Sequence, residues 1–123
     1  MSGGESRLLG RWGEALAAEE LRRRGFRLVE AGWRCRFGEV DLIAEEGPFL
    51  CFVEVKLRSN LSRGLPREAV DGRKQRKLRT AAACYVSNNE LDLPVRFDVA
   101  EVYTDGKGGV TGFQYIEDAF TCD

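Results

Sequence analysis

Hydrophobic residues recur with helical spacing near the start of the chain and with strand spacing after it. Ser6 is a suitable N-cap, and the apolar positions that follow predict a helix over residues 7–24. The helix ends where three arginines precede Gly25, because cations favour the negative end of a helix and glycine favours the left-handed cap. Residues 1–6 are expected to form a flexible tail.

Alternating patterns after this helix predict strands over residues 26–33, 39–45 and 49–57, then a polar loop over 58–66. A second helix is predicted over residues 67–87, followed by strands over 95–103 and 110–116. The order helix, three strands, helix, two strands indicates an α/β (α+β) fold, in which helices flank a mixed β-sheet. With 123 residues, the chain is expected to form one domain, 1–123.

The second predicted strand carries two carboxylates on one face. Strand alternation places Glu39 and Asp41 on the same face, together with Ile43. The opposite face is then apolar and holds Val40, Leu42 and Ala44.

Charged residues also lie at the end of the third predicted strand. Glu54 and Lys56 share a face directly after a nearly continuous apolar run, which is typical of a buried strand that reaches the protein surface. A hairpin turn at Glu46-Gly47-Pro48 brings the two strands together. A register that pairs Glu54 with either Asp41 or Glu39 makes the carboxylates converge. Carboxylates this close repel each other, which favours a divalent cation between them. Oxygen ligands suit Mg²⁺.

The composition excludes several classes of site. The chain has four cysteines in no C-x-x-C pair and no histidine, so neither a zinc site nor a histidine-based hydrolase is expected. Cys51 and Cys84 lie in apolar surroundings and read as core residues of a protein in a reducing cytoplasm. No apolar run is long enough to cross a membrane, and no secretion signal precedes Arg11.

The charge is distributed unevenly along the chain. Residues 1–79 contain 17 Lys+Arg and 12 Asp+Glu, whereas residues 80–123 contain 2 and 8. The basic part is where a polyanion would bind, although a solvated charged surface explains the charge equally well. The strongest basic patch lies in the first half of the second helix and consists of Arg73, Lys74, Arg76, Lys77 and Arg79.

An Asp followed on the next strand by Glu-x-Lys resembles the signature of the PD-(D/E)xK, or restriction-endonuclease-like, superfamily. Here the signature is Asp41 followed by Glu54-Val55-Lys56. Over residues 7–120 the chain more closely resembles the YraN family of small bacterial proteins. The matching stretches are Gly13-Glu14, residues 38–44, residues 52–56 with Arg58, and Lys74-Gln75. Val40 replaces the proline of the superfamily's name.

This resemblance implies a fold like that of Holliday-junction resolvases and a nuclease-like site. Asp41 and Glu54 would bind Mg²⁺ (or Mn²⁺), with Glu14 as a further ligand, directly or through water, and Lys56 would act on the attacking water. Glu39 is a possible additional site residue. On the residues alone, Glu14 is equally explained as a surface glutamate of an amphipathic helix. The predicted nucleic-acid-binding residues are Arg58, Arg73, Lys74, Gln75, Arg76 and Lys77.

Three readings of the Asp41, Glu54 and Lys56 cluster follow. The first is a Mg²⁺-dependent nuclease that hydrolyses phosphodiester bonds, on branched DNA among other substrates. The second is a nuclease-like module that binds nucleic acid or recruits a partner with little chemistry. The third is a satisfied ion cluster with a structural role. One domain of this size covers little duplex DNA, which makes a homodimer plausible.

Overall fold

The computed structural model describes residues 3–59 and 70–120, with side chains from residue 10 onward. Two helices and five strands follow one another in the predicted order, which confirms the α+β fold class. In chain order they are α1 (Gly3–Arg23), β1 (Arg27–Cys35), β2 (Gly38–Glu46), β3 (Phe49–Ser59), α2 (Gly72–Asn88), β4 (Val95–Thr104) and β5 (Val110–Phe120).

Both helices begin at residues other than those predicted. Helix α1 already includes Gly3, four residues before the predicted start at residue 7, and the flexibility of the tail stays a prediction. Helix α2 begins only at Gly72, because the extended Asp71 caps it by accepting a hydrogen bond from the Lys74 backbone N–H at 2.9 Å. Residues 67–69 of the predicted helix lie outside the described residues.

The five strands form one sheet in which neighbours along the chain are also neighbours in space. β3 and β4 run parallel and all other pairs run antiparallel, so the sheet is mixed, as predicted. Helix α2 lies in the connection between the two parallel strands, which require a crossover. Gly47, with φ +55°, occupies the tight turn between β2 and β3.

Two apolar clusters cover the two faces of this sheet. Between the sheet and α1, the buried residues include Ala17, Leu21, Leu42, Val53 and Ala100. Between the sheet and α2, they include Val40, Phe52, Leu78, Tyr85 and Phe97. Each helix therefore covers one face and leaves the sheet buried along its centre. Neither helix of residues 3–59 and 70–120 is long and apolar enough to cross a membrane.

The alternation of side chains along β2 is broken at Asp41. Val40 packs in the cluster beneath α2, whereas Leu42 packs in the cluster beneath α1. The prediction that these two residues share one face is therefore wrong. Gly32, which lies between the β1 partners of Val40 and Leu42, has φ +64° and allows the local change of direction. Asp41 is thus the residue at which β2 turns.

Candidate active site

The carboxylates of Asp41 and Glu54 meet where β2 and β3 stop pairing. The antiparallel ladder ends with the pair Leu42–Val53, and Asp41 and Glu54 are the next residue on each strand. The backbone N–H of Val55 donates a hydrogen bond to Asp41 Oδ2 at 2.8 Å. Of the two predicted registers, the structure therefore follows the one that places Asp41 beside Glu54.

This proximity changes the acidity of Asp41. Burial, followed by the repulsion from Glu54, raises the pKa of Asp41 to about 8, and the charge of Glu14 adds to the effect. The Val55 N–H opposes the shift but does not cancel it. The Asp41 and Glu54 carboxyls also lie within hydrogen-bonding reach of each other. In the absence of a metal ion, Asp41 is therefore arranged to keep its proton near neutral pH.

The two carboxyls lie in a cleft with a volume of about 1090 Å³. Helix α1 forms one wall of the cleft, and residues of β1, β2, β3 and α2 form the rest. Four of the lining side chains are acidic and four are basic, so the wall charges balance. These charged residues are Glu14, Glu39, Asp41 and Glu54 with Arg11, Arg22, Arg34 and Lys74.

A glycine allows α1 to approach the cleft closely. A Cβ atom added at Gly13 would lie only 3.0 Å from Leu57 Cγ on β3, so a larger residue would require the Leu57 side chain to shift. The neighbouring Glu14 is thereby held in the cleft, where burial and then Glu39 raise its pKa. Glu14 is consequently more than an ordinary surface glutamate, since its charge acts on Asp41.

Lys74 of α2 provides a cation for the acidic pair. Its Nζ lies 3.1 Å from Glu54 Oε1, although the two residues are twenty positions apart in the chain. The Glu54 side chain is only 7% exposed, whereas that of Lys74 is 52% exposed. Lys74, which was predicted to bind nucleic acid, is therefore placed directly at the carboxylates.

Three other predicted site residues are located less centrally. Lys56 is half-buried two residues after Glu54, but the cleft is lined by its neighbours on β3. Arg58 forms an ion pair with Glu101, which is fully buried and also accepts a hydrogen bond from the Tyr103 hydroxyl at 3.3 Å. Glu39 lines the cleft and pairs at its surface with Arg34, at 2.9 Å.

The remaining predicted nucleic-acid-binding residues lie on the first two turns of α2. Arg73, Arg76 and Lys77 are exposed there. Gln75 differs from them, because its Nε2 donates a hydrogen bond to the Val70 carbonyl at 2.6 Å and holds the start of the helix. The exposed basic residues and the cleft residue Lys74 thus share one end of one helix.

The oxygen atoms of Asp41 and Glu54 suit a hard divalent cation. Mg²⁺ is commonly held by one or two carboxylates, with water and substrate phosphate completing six oxygen ligands. Among residues 3–59 and 70–120, no group of three His, Cys, Asp or Glu side chains is arranged to hold a metal by itself. Asp41 and Glu54 thus offer oxygen ligands of the kind that a two-carboxylate Mg²⁺ site uses.

Sequence reasoning missed two basic residues of α1 that line the cleft. Arg11 and Arg22 lie on the same side of the helix as Glu14, Ala15 and Ala18. The spacing of three and four residues between these positions is the helical repeat, so the sequence did contain a signal. The apolar stripe of α1 defined the helix prediction, and Arg11 and Arg22 lie beside that stripe.

The sequence is similar to a known protein family over most of its length. The sequence profile of the "Uncharacterised protein family UPF0102" matches residues 13–102, which include every acidic residue of the cleft. The chain belongs to the UPF0102 family. A UPF0102 protein of Acetivibrio thermocellus is 44% identical over 119 residues, covering 93% of this chain and 92% of that protein.

Other UPF0102 relatives agree with this result. A UPF0102 protein of Moorella thermoacetica is 42% identical over 112 residues, which cover 90% of this chain and 93% of the relative. One from Renibacterium salmoninarum is 46% identical over 95 residues, covering 76% and 80% of the two chains. The resemblance to the YraN family, another designation of UPF0102, is thereby confirmed, and its placement in the restriction-endonuclease-like superfamily stays a prediction.

Proposed function

We propose that this UPF0102 protein is a Mg²⁺- or Mn²⁺-dependent nuclease that hydrolyses phosphodiester bonds of nucleic acid, with DNA as the expected substrate. The observation that carries this proposal is the pair of adjacent carboxylates, the half-buried Asp41 and the buried Glu54, in a cleft whose walls also carry four basic side chains. Carboxylates held this closely repel each other, and a divalent cation relieves the repulsion while attracting a phosphate.

The chain's own residues divide the proposed chemistry between them. Asp41 and Glu54 would hold the metal ion, which would supply Lewis-acid stabilisation and lower the pKa of a bound water. The Val55 N–H fixes the Asp41 carboxylate by donating a hydrogen bond to its Oδ2 atom. Lys56, two residues beyond Glu54 on β3, orients or deprotonates the attacking water. Arg11 and Arg22 attract the phosphates that flank the reacting one.

Cleavage of a substrate panel tests this proposal. Labelled duplex, single-stranded, flap and four-way-junction DNA, together with single-stranded RNA, are incubated with Mg²⁺, with Mn²⁺ and with a chelator. We expect cleavage only with a divalent cation. Asp41→Asn, which keeps the side-chain shape but removes the charge, should abolish it.

A matched variant controls for changes in strand β2. Glu45→Gln neutralises another carboxylate on the same strand, one that pairs with Arg27 outside the cleft, and it should retain cleavage. Cleavage that persists in the chelator, or in Asp41→Asn, would overturn the proposed mechanism. DNA that is bound but uncut by the wild-type protein under all conditions would overturn the nuclease function.

The alternative function is a nucleic-acid-binding module with little chemistry. It is favoured by the engagement of two predicted functional cations in ion pairs, Arg58 with Glu101 and Lys74 with Glu54. Under this alternative, the basic walls of the cleft bind phosphates while the carboxylates serve only to set the local charge. Salt-dependent DNA binding that is equal in Mg²⁺ and in chelator, without cleavage, would support it.

A further inference from the structure

The ion pair between Lys74 and Glu54 has features that helix stability does not explain. Lys74 lies in the first turn of α2, where the helix dipole disfavours cations, and no acidic residue of that turn compensates it. Arg73, Arg76 and Lys77 crowd the same two turns. Because the Glu54 side chain is only 7% exposed, the pair neutralises a buried carboxylate, and this role does not depend on the stability of the helix. The position of Lys74 therefore calls for an explanation other than helix stability.

Lys74 contacts one of the two Glu54 oxygens that a metal ion would use. Mg²⁺ binds carboxylate oxygens at about 2.1 Å. Because Lys74 Nζ lies 3.1 Å from Glu54 Oε1, a metal on that oxygen would be at most about 5 Å from the ammonium group. Two cations this close to one half-buried site repel each other strongly. Binding both cations to this one oxygen of Glu54 would therefore be opposed by the repulsion between them.

The surroundings of Lys74 allow its side chain to leave. About half of the side chain is exposed, and it extends from the surface of α2 rather than from the core. A lysine ammonium is a compact charge on a flexible stem, so its departure requires no rearrangement of the backbone. Its new position would remain at the edge of the cleft, where a nucleic-acid phosphate near the carboxylates would attract it.

We propose that Lys74 is an exchangeable cation of the site. It neutralises Glu54 while the site is free of metal, leaves Glu54 when a divalent cation binds, and then contacts a phosphate of the bound strand. This inference rests on the proposed function, because it requires the metal site. It gives Lys74 two partners in succession and couples the binding of metal to the binding of nucleic acid.

Metal affinity tests the first half of this exchange. The dissociation constant of Mn²⁺ is measured by electron paramagnetic resonance for the wild-type chain, Lys74→Met and Lys77→Met. Lys74→Met removes the competing cation, so we expect its dissociation constant to fall by about fivefold. Lys77→Met removes the same charge from an exposed position on the same helix and should stay within about twofold of wild type.

Nucleic-acid affinity tests the second half. Fluorescence anisotropy of a labelled DNA strand is measured with Mn²⁺ and with chelator, and a gel checks that the strand stays intact. Lys74→Met should weaken binding by about fivefold in Mn²⁺ but hardly change it in chelator, where Glu54 holds the lysine. Lys77→Met should weaken binding to a similar extent under both conditions.

The outcomes separate this inference from the proposed function. If Mn²⁺ binds the wild-type chain and Lys74→Met binds it equally or more weakly, the exchange is overturned while the metal site stands. If Mn²⁺ binds neither the wild-type chain nor Lys74→Met, the metal site and the exchange are both overturned. Equal losses of DNA affinity in Mn²⁺ and in chelator would overturn the phosphate contact.

Discussion

Asp41 combines a structural and a chemical role in one side chain. It stands where β2 changes direction, it accepts the Val55 N–H, and it faces Glu54 from the adjacent strand. Burial and Glu54 raise its pKa to about 8, so the folded chain holds a proton that the unfolded chain releases near pH 4. The free energy of unfolding of the metal-free protein must therefore depend on pH through the titration of Asp41.

The sign of this dependence is fixed by the raised pKa. Between about pH 4 and pH 8 the folded state binds more protons than the unfolded state, so the free energy of unfolding falls as the pH rises. We expect Asp41→Asn to remove this slope and to be more stable than wild type above about pH 8. Urea unfolding in chelator from about pH 5 to about pH 9 measures the effect.

A control variant on the same strand isolates the contribution of Asp41. The hydrogen bond from Arg27 lowers the pKa of Glu45, which therefore titrates below this pH window. Glu45→Gln should keep the wild-type slope. If Asp41→Asn retained that slope as well, the proton would belong to another group of the cleft.

Lys56 is the residue on which the proposed chemistry depends most. Its side chain is half-buried at the end of β3, with no place in either apolar cluster, so truncation should spare the fold. We expect Lys56→Ala to lower the cleavage rate by roughly a hundredfold or more, the usual effect of losing a positioned proton-transfer group. Rates are compared at saturating substrate, with thermal unfolding to verify folding. Full activity of Lys56→Ala would exclude Lys56 from the mechanism.

At the scale of the element, the start of α2 is the predicted nucleic-acid surface. Arg73, Arg76 and Lys77 are exposed there and lie beside the cleft residue Lys74. Cations are unfavourable at the positive end of a helix, whereas a phosphate is favourable there. Binding of a polyanion would therefore relieve a repulsion that is built into this helix.

Replacing these three residues by alanine tests the surface without altering the Glu54 contact. Each lost phosphate contact should reduce the slope of log affinity against log salt by about 0.7 to 0.9. We expect the triple variant to bind DNA more weakly and with a shallower salt dependence. Anisotropy titrations at several salt concentrations measure it. An unchanged slope would place the nucleic acid elsewhere, for example along Arg11 and Arg22 of α1.

The order of the elements was predictable because each has a local signal. Apolar periodicity distinguishes the helices from the strands, and the short Gly47-Pro48 turn brings β2 against β3. The position of that turn left two registers for the hairpin, one that pairs Glu54 with Asp41 and one that pairs it with Glu39. Helix starts were less predictable, since the cap of α2 depends on the hydrogen bond between Asp71 and the Lys74 backbone.

Two features of the cleft were not predictable from local patterns. The change of face at Asp41 depends on the backbone of Gly32, which belongs to a different strand and has φ +64°. The contact between Lys74 and Glu54 depends on where α2 packs after the crossover, which no spacing in the sequence encodes. Both are tertiary effects that override an otherwise regular strand and helix.

At the scale of the molecule, a buried polar network joins four of the five strands. Arg96 donates hydrogen bonds to Asp98 at 3.0–3.1 Å and lies 2.8 Å from Glu46. The hydroxyl of Tyr115 and the backbone N–H of Asp118 also donate to Asp98, at 2.5 and 2.8 Å. Asp98 is fully buried, and burial is the first cause that raises the pKa of Cys51 beside it to about 12. The network gives a structural role to Arg96 and Asp98, two of the three buried charged residues of β4.

Loss of Asp98 should therefore be costly. Asp98→Ala leaves Arg96 buried without its main partner, and we expect it to lower the free energy of unfolding by about 3–5 kcal/mol. Glu45→Ala breaks the exposed pair with Arg27 and should cost no more than about 1 kcal/mol. Urea unfolding of both variants at neutral pH makes the comparison. Equal costs would mean that the network does not couple the strands.

The packing of α1 has a consequence for synthesis on the ribosome. Its buried residues Ala17 and Leu21 pack against β2 and β3 but also against Ala100 and Val102 of β4, about 80 residues later in the chain. At about 5–20 residues per second, the first helix waits several seconds before its last partner is made. During that interval the apolar face of α1 lacks its partners on β4. The cleft, whose wall is α1, is among the last parts of the molecule to mature.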